Sequence, residues 1–180
     1  MKVADCKLKI NQGFSLVEAA VFLIVLLIGF IVFFRLVNSS ILTLKTVKEQ
    51  VMANFLAQEG LQLALAKRNQ NFRNNQLWLN QLWDSGASAQ ICLNPDLTVI
   101  ANCDPTKQTL YLSNNVYSHT VARKSIFSRV ISLIPYSPVN CQPNSANDCK
   151  AVSVTSTVSW GKGKPINLNI IMTQWSPQSN

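Results

Sequence analysis

The sequence predicts an α+β protein in which one long N-terminal helix packs on a C-terminal antiparallel β-sheet. No proline interrupts the chain between Arg35 and Pro95, and apolar side chains recur there at helical spacing. Further on, segments 151–160 and 166–172 alternate apolar with polar residues, which is the period of a half-buried strand. A helical first half followed by a strand-rich second half is typical of the α+β class.

The composition indicates a membrane segment joined to a polar domain. The 180-residue chain is 48% hydrophobic and only 13% charged, with a net charge of +8. This hydrophobicity excludes a disordered chain, and six glycines exclude a collagen-like one. The apolar excess is concentrated in the first fifth of the sequence. The basic residues are scattered in runs of at most two, which favours a solvated surface over a dedicated nucleic-acid site.

The first element is an apolar run over residues 14–34. As a helix, its 21 residues would cover about 32 Å, the thickness of a bilayer core. Lys2, Lys7 and Lys9 precede the run, so the N-terminus is predicted to stay in the cytoplasm and the rest of the chain to lie outside. A cleaved secretory signal would have a shorter apolar region followed by small residues, whereas this run ends FFRLVN.

An acidic residue, Glu18, lies near the start of the apolar run. Acids inside a membrane span usually mark a function or a pairing, although one in the first helical turn also suits the helix dipole. In the sequence KINQGFSLVEAAVFLIVLLIG, a basic leader ends at Gly13, Phe14 follows, and Glu18 is the fifth residue counted from Phe14. This arrangement resembles the type III signal of type IV pilins and type II secretion pseudopilins.

The resemblance implies a processed structural subunit without a cofactor. A prepilin peptidase would remove the leader, residues 1–13, by cutting between Gly13 and Phe14, and would methylate the new amine of Phe14. Glu18 would then attract the N-terminus of a neighbouring pilin or pseudopilin subunit. A platform protein and an ATPase would move the subunit from the cytoplasmic membrane into an extracellular or periplasmic filament.

Two further comparisons with the pilin family concern the helix and the kind of subunit. Many major pilins carry a proline where this chain has Arg35, so the resemblance does not extend to helix melting at this position. The C-terminal sequence VSVTSTVSWGKGKPINLNIIMTQW looks like the last two strands of minor pilins of the PilV or GspI type. The resemblance therefore implies a minor rather than a major subunit.

The helix is expected to continue from the span to about Arg68. Residues 35–68 form its amphipathic continuation, with a stripe of apolar residues that offers one face to the sheet. The alternative is a short anchor followed by an independent helical domain. Residues 69–180 form the predicted globular head, beginning with a loop or short helix over residues 69–80. The stripe consists of Ile41, Leu44, Val47, Val51 and Phe55, and it drifts to Met52, Leu56, Leu63 and their neighbours.

Four strands are predicted in the head. Segments 151–160 and 166–172 form a hairpin across the Gly-rich loop 161–165, residues 126–134 form a third strand, and residues 109–113 a weaker fourth. An antiparallel sheet with one polar face needs an apolar partner for the other face. The C-terminal half of the long helix is expected to supply it.

Four of the five cysteines follow the leader, and an even number outside the membrane predicts two disulfides. Of the three connectivities, the neighbour pairing Cys92–Cys103 and Cys141–Cys149 is favoured because each pair brackets a turn-rich segment. The spacings do not fit a zinc site, and no metal is predicted.

No catalytic residue is predicted, so the chain is not expected to be an enzyme. His119 is the only histidine, and the sequence has neither a nucleophile elbow nor a phosphate-binding glycine loop. Two alternatives to a filament subunit stay open: a filament-tip receptor for DNA or surfaces, and a plain single-pass anchored domain. The basic residues that would serve the receptor are Arg123, Lys124, Arg129, Lys162 and Lys164.

Overall fold

The structure is a computed structural model that describes residues 15–83, 88–101, 103–136, 149–161 and 163–174. The chain divides between Val47 and Lys48 into two compact units. The first contains the N-terminal part of the helix, and the second contains its C-terminal part and the sheet. The predicted leader, residues 1–13, lies outside the described residues.

The described residues form one helix and seven strands, which is the predicted α+β class. Helix α1 spans Leu16–Arg73, and its C-terminal part packs against an antiparallel sheet. It continues without a break through Arg35. The strands are β1 (Ala89–Leu93), β2 (Val99–Ala101), β3 (Thr109–Ser113), β4 (Val116–Ser118), β5 (Arg123–Pro135), β6 (Ala151–Trp160) and β7 (Ile166–Thr173).

The long strand β5 organises the sheet. One of its edges pairs antiparallel with β6, which pairs in turn with β7. Its other edge is shared: Ile131 pairs with Ile91 of β1, and Ser128 pairs with Thr109 of β3. Strands β2 and β4 extend these two short strands outward.

The strand predictions are confirmed for the hairpin β6–β7 and for β3. Strand β5 begins three residues earlier than predicted, at Arg123, and ends one residue later, at Pro135. Strands β1, β2 and β4 were not predicted. They have three to five residues each, which is too short for an alternating pattern to stand out.

The face of α1 that packs on the sheet is built mainly from small residues. Ala53, Ala57, Gly60 and Ala64 are buried there beside two leucines. Small side chains let the helix backbone approach the strands closely, so α1 packs on the sheet with this face and not with the bulkier one. The predicted stripe meets the sheet only in its later part: Leu56 is buried, and Met52 and Leu63 are partly buried against the core. The earlier members of the stripe are exposed: Ile41, Leu44 and Val47 in the first unit, Val51 and Phe55 in the second.

The segment after α1 completes the core. The helix ends at Arg73, later than predicted, and the following turns bury Trp78, Leu79, Leu82 and Trp83 against β1, β5 and β6. The side-chain amide of the buried Asn71 donates hydrogen bonds to the carbonyl of Trp78 at 3.2 Å and to that of Asn80 at 2.9 Å. Asn71 thereby fixes the turns to the end of the helix.

Gly60 marks the closest approach of helix and sheet. A Cβ atom at this position would overlap the hydroxyl oxygen of Ser156 and lie 3.1 Å from Cδ of Arg129. We expect Gly60→Ala to lower the free energy of unfolding by about 1–3 kcal/mol because the added methyl overpacks the contact. Denaturant titration of the full chain in micelles, followed by tryptophan fluorescence, measures this change.

Two further variants show whether crowding is the cause. Gly29 has no heavy atom within 4 Å of the corresponding position, so Gly29→Ala should not reduce stability. Combining Gly60→Ala with Ser156→Gly should restore most of the lost stability. An equal loss in the single and double variants would contradict this explanation of the glycine.

Candidate functional site

The N-terminal part of α1 is a candidate membrane span. The helix starts after Ser15, whose carbonyl accepts a hydrogen bond from the backbone N–H of Ala19 at 3.1 Å. Its most apolar 18-residue window has a mean hydropathy of 3.0, and none of that window is buried. The length and composition are consistent with a single-pass membrane protein. The predicted span over residues 14–34 agrees with this segment from residue 15 onward.

Glu18 lies in the first turn of α1 and is the only charged residue between residues 16 and 34. Its carboxylate is exposed, close to the positive end of the helix dipole. Within the described part of the chain it forms no ion pair. Gly13 and Phe14, the predicted cleavage and methylation residues, lie outside the described residues.

Three hydroxyl groups just beyond the span bond to the backbone of the helix itself. Each of these serine or threonine side chains donates to the carbonyl four residues earlier, so it needs no water or partner. These three side chains can therefore contact apolar surroundings at little cost, while the same segment also carries the polar residues Asn38 and Lys45. The hydrogen bonds are Ser40 to Leu36 at 2.9 Å, Thr43 to Ser39 at 2.9 Å and Thr46 to Leu42 at 3.1 Å.

The predicted basic surface is smaller than expected. Arg123 and Lys124 are exposed at the start of β5, and Lys164 is exposed in the turn after β6. They lie at the same end of the sheet because Phe127 of β5 pairs with Trp160, the last residue of β6. Lys162 is outside the described residues.

The assignment of Arg129 to a basic surface is wrong. Its side chain is 0% exposed, because β5 turns the same face inward at Phe127, Arg129, Ile131 and Leu133. This period-two pattern is present in the sequence and could have identified Arg129 as an inward-facing residue.

Arg129 joins α1 to two strands. Its Nη1 lies 3.2 Å from Oε2 of Glu59 and donates to the carbonyl of Leu56 at 3.2 Å, while Nη2 donates to the carbonyl of Leu93 at 3.0 Å. Burial lowers the pKa of Arg129, and the nearby Glu59 carboxylate opposes that shift. The guanidinium remains a cation, so its partners must stay in place.

The disulfide prediction is confirmed for Cys92–Cys103, whose Cα atoms are 5.3 Å apart. Cys149 is also disulfide-bonded, but Cys141 lies outside the described residues. The first bridge lies beside His119: the sulfur of Cys92 is 3.4 Å from the carbonyl oxygen of Lys107, and Nδ1 of His119 is 3.0 Å from the same oxygen.

His119 is held as a neutral imidazole. A carbonyl oxygen only accepts hydrogen bonds, so Nδ1 carries the proton that is donated to Lys107. Nε2 is buried and has no hydrogen-bond partner in the described structure. Burial, with a further contribution from the positive charge of Arg129, lowers the pKa of His119 to about 4.

This shift predicts an acid-sensitive stability. His119 has a folded pKa of about 4 and an unfolded pKa near 6.5, so between these values the unfolded chain binds more protons. The contribution of neutral His119 to the free energy of unfolding is complete above pH 6.5 and is lost as the pH falls toward 4. We expect a loss of about 2–3 kcal/mol across this window.

Denaturant titrations at several pH values measure the loss, and His119→Gln provides the comparison. The variant should show a flatter pH dependence between 6.5 and 4. Asp96 and Asp104, whose pKa values are lowered from the usual range, contribute the same pH dependence to both proteins, so the difference between the two curves reports His119. The same pH dependence in both proteins would contradict a role for His119.

The described residues contain no group of three or more His, Cys, Asp or Glu side chains that could hold a metal ion. No family model, curated protein or solved structure matches this chain. The features that bear on function are therefore the apolar N-terminal segment of α1, the one acid within that segment, Glu18, and the surfaces of the sheet.

Proposed function

We propose that this chain is a minor pilin or pseudopilin, a structural subunit of a type IV pilus or type II secretion-like filament. The observation that supports this most strongly is Glu18, the only charged residue in an otherwise apolar and exposed helical segment. A carboxylate in that position is costly in a membrane unless it meets a partner. The proposed partner is the methylated N-terminal amine of Phe14 on a neighbouring subunit.

The proposed pairing would set the axial register of adjacent helices. A carboxylate and an ammonium group attract strongly in a low-dielectric helix bundle, and either one alone is unfavourable there. Glu18 is the only acid in the apolar segment, so this attraction would specify one offset between neighbouring subunits. Leader removal is required because it creates the amine.

Transfer from the membrane to the filament is physically reasonable for this helix. A bundle of similar helices offers the span the same apolar surroundings as lipid. The exposed apolar residues beyond the span, including Ile41, Leu44 and Val47, suit helix packing in such a bundle. In this proposal a prepilin peptidase processes the chain, and a platform protein and an ATPase extract it.

Substitution of Gly13 tests the processing step. We expect Gly13→Leu to retain residues 1–13 in most of the protein, because a bulky side chain would not fit a peptidase that cuts after glycine. Intact mass measurement of the chain from a host with the processing system reports the result. Gln12→Leu is the matched control and should be processed normally. Normal loss of the leader from Gly13→Leu would contradict the proposed cleavage site.

A further inference from the structure

One edge of the sheet is long and lacks the usual features that prevent strand pairing. Strand β7 pairs with β6 over eight residues in unbroken register, and no other described strand pairs with it. Between Ile166 and Thr173 it contains no charged residue and no proline. Natural sheets usually protect a free edge with charges, prolines, bulges or very short strands.

The opposite side of the sheet is protected in one of these ways. It ends in β2 and β4, which have three residues each. Neither is long enough to template an added strand of ordinary length. The two sides thus differ sharply, and among the described strands only β7 offers a continuous edge.

The hydrogen-bonding groups on the free edge of β7 can be assigned. The backbone N–H of Gln174 donates to the carbonyl of Lys150 on the β6 side at 3.0 Å. In an antiparallel pair, backbone groups point alternately toward and away from the partner strand. The N–H and C=O groups of Asn167, Asn169 and Ile171 therefore point toward the free edge.

The side chains beside this edge define what would fit there. On the inner face, Leu168 and Ile170 are only half-buried at the margin of the core. On the outer face, Asn167 and Asn169 are polar and uncharged, and Ile171 is exposed. A strand next to β7 would cover Leu168 and Ile170 if its own apolar side chains occupied alternate positions.

We propose that the free edge of β7 binds an extended segment of another protein, which adds an eighth strand to the sheet. The segment is uncharged and carries apolar residues at alternate positions. Backbone hydrogen bonds provide affinity, and the alternating side chains provide selectivity. A second copy of this chain fits less well, because each copy carries a net positive charge, +8 for the whole sequence and +6 without residues 1–13, and the copies repel. This inference does not depend on the proposed filament.

A fluorescent peptide with the sequence AVSVTSTVSW tests the edge directly. This is the sequence of β6, which is uncharged and already forms a regular pair with the other edge of β7. The peptide is titrated into the full chain in detergent micelles and followed by anisotropy. Amide hydrogen exchange should show new protection at residues 167, 169 and 171 and none at residues 168 and 170, which are protected already.

Two substitutions at Asn169 separate edge pairing from other binding. Asn169→Pro removes an N–H that faces the free edge and leaves the bonds to β6, whereas Asn169→Ala keeps that N–H. Both lose the bond from Asn169 to Ser153, so they form a matched pair. We expect the proline variant to bind the peptide at least about tenfold more weakly than the alanine variant.

Three outcomes would overturn the proposal. The peptide could fail to bind saturably, or the two variants could bind it equally. Alternatively, the amides of residues 167, 169 and 171 could become protected without peptide as the protein concentration rises. That result would make a second copy of this chain the occupant of the edge.

Discussion

Replacement of Glu18 by valine should leave the chain processed and in the membrane but reduce its incorporation into filaments by about tenfold or more. The substitution removes the carboxylate that is proposed to neutralise the amine of Phe14. An uncompensated charge in an apolar helix bundle costs several kcal/mol, which is ample for a tenfold effect. The ratio of the chain in sheared filaments to that in membranes, measured in the native host, gives the result.

A second acid on the same helix serves as the control. Glu49 lies outside the apolar segment, so Glu49→Val removes the same charge from a polar part of α1. This variant should be incorporated almost normally. If Glu18→Val were incorporated as well as Glu49→Val, the proposed role of Glu18 would have to be abandoned.

Loss of Arg129 should cause the largest change in stability. We expect Arg129→Met to lower the free energy of unfolding by about 2–4 kcal/mol, because the carbonyls of Leu56 and Leu93 lose their donors and Glu59 loses its counter-ion. The figure is below the 3–5 kcal/mol of a fully buried pair because the Glu59 side chain is 35% exposed. Denaturant titration at neutral pH in micelles measures the change.

Lys124 is the matched control for this prediction. It is a cation on the same strand but is exposed, so Lys124→Met should change stability by no more than about 0.5 kcal/mol. Adding Glu59→Gln to Arg129→Met should recover part of the loss, since the unpaired carboxylate is then neutral. Equal effects of Arg129→Met and Lys124→Met would show that the buried ion pair contributes nothing.

The sequence was most informative where a pattern was long. The apolar span is a run of 21 residues with a single charge, and the hairpin β6–β7 keeps a period of two along both strands, so chance seldom produces either pattern. Strand β1 pairs with β2 and with the distant β5, and the disulfide Cys92–Cys103 ties β1 to the segment that follows β2. Such long-range pairing leaves no mark in a five-residue segment.

The sheet-facing side of α1 was predicted only in part, for a related reason. Hydrophobic periodicity gives weight to large residues such as Val51 and Phe55, but helix–sheet distance is set by where the backbone can approach closely. Ala57 and Gly60 permit that approach, and their small size made the signal weak.

The residues of the candidate site also differ in how far the sequence alone could identify them. Glu18 is conspicuous in the sequence because one acid in an apolar run needs an explanation, whatever the rest of the fold. Arg129 was misassigned because charge alone suggested a surface, and only its partners Glu59, Leu56 and Leu93 reveal a buried link. The neutral state of His119 likewise depends on neighbours that are distant in sequence.

The intact mass of the chain purified from its native host tests the central claim most directly. A processed filament subunit should begin at Phe14 and carry one added methyl group on its N-terminal amine. A chain that still contains Met1 and the unmodified leader would contradict both the processing and the assembly through Glu18.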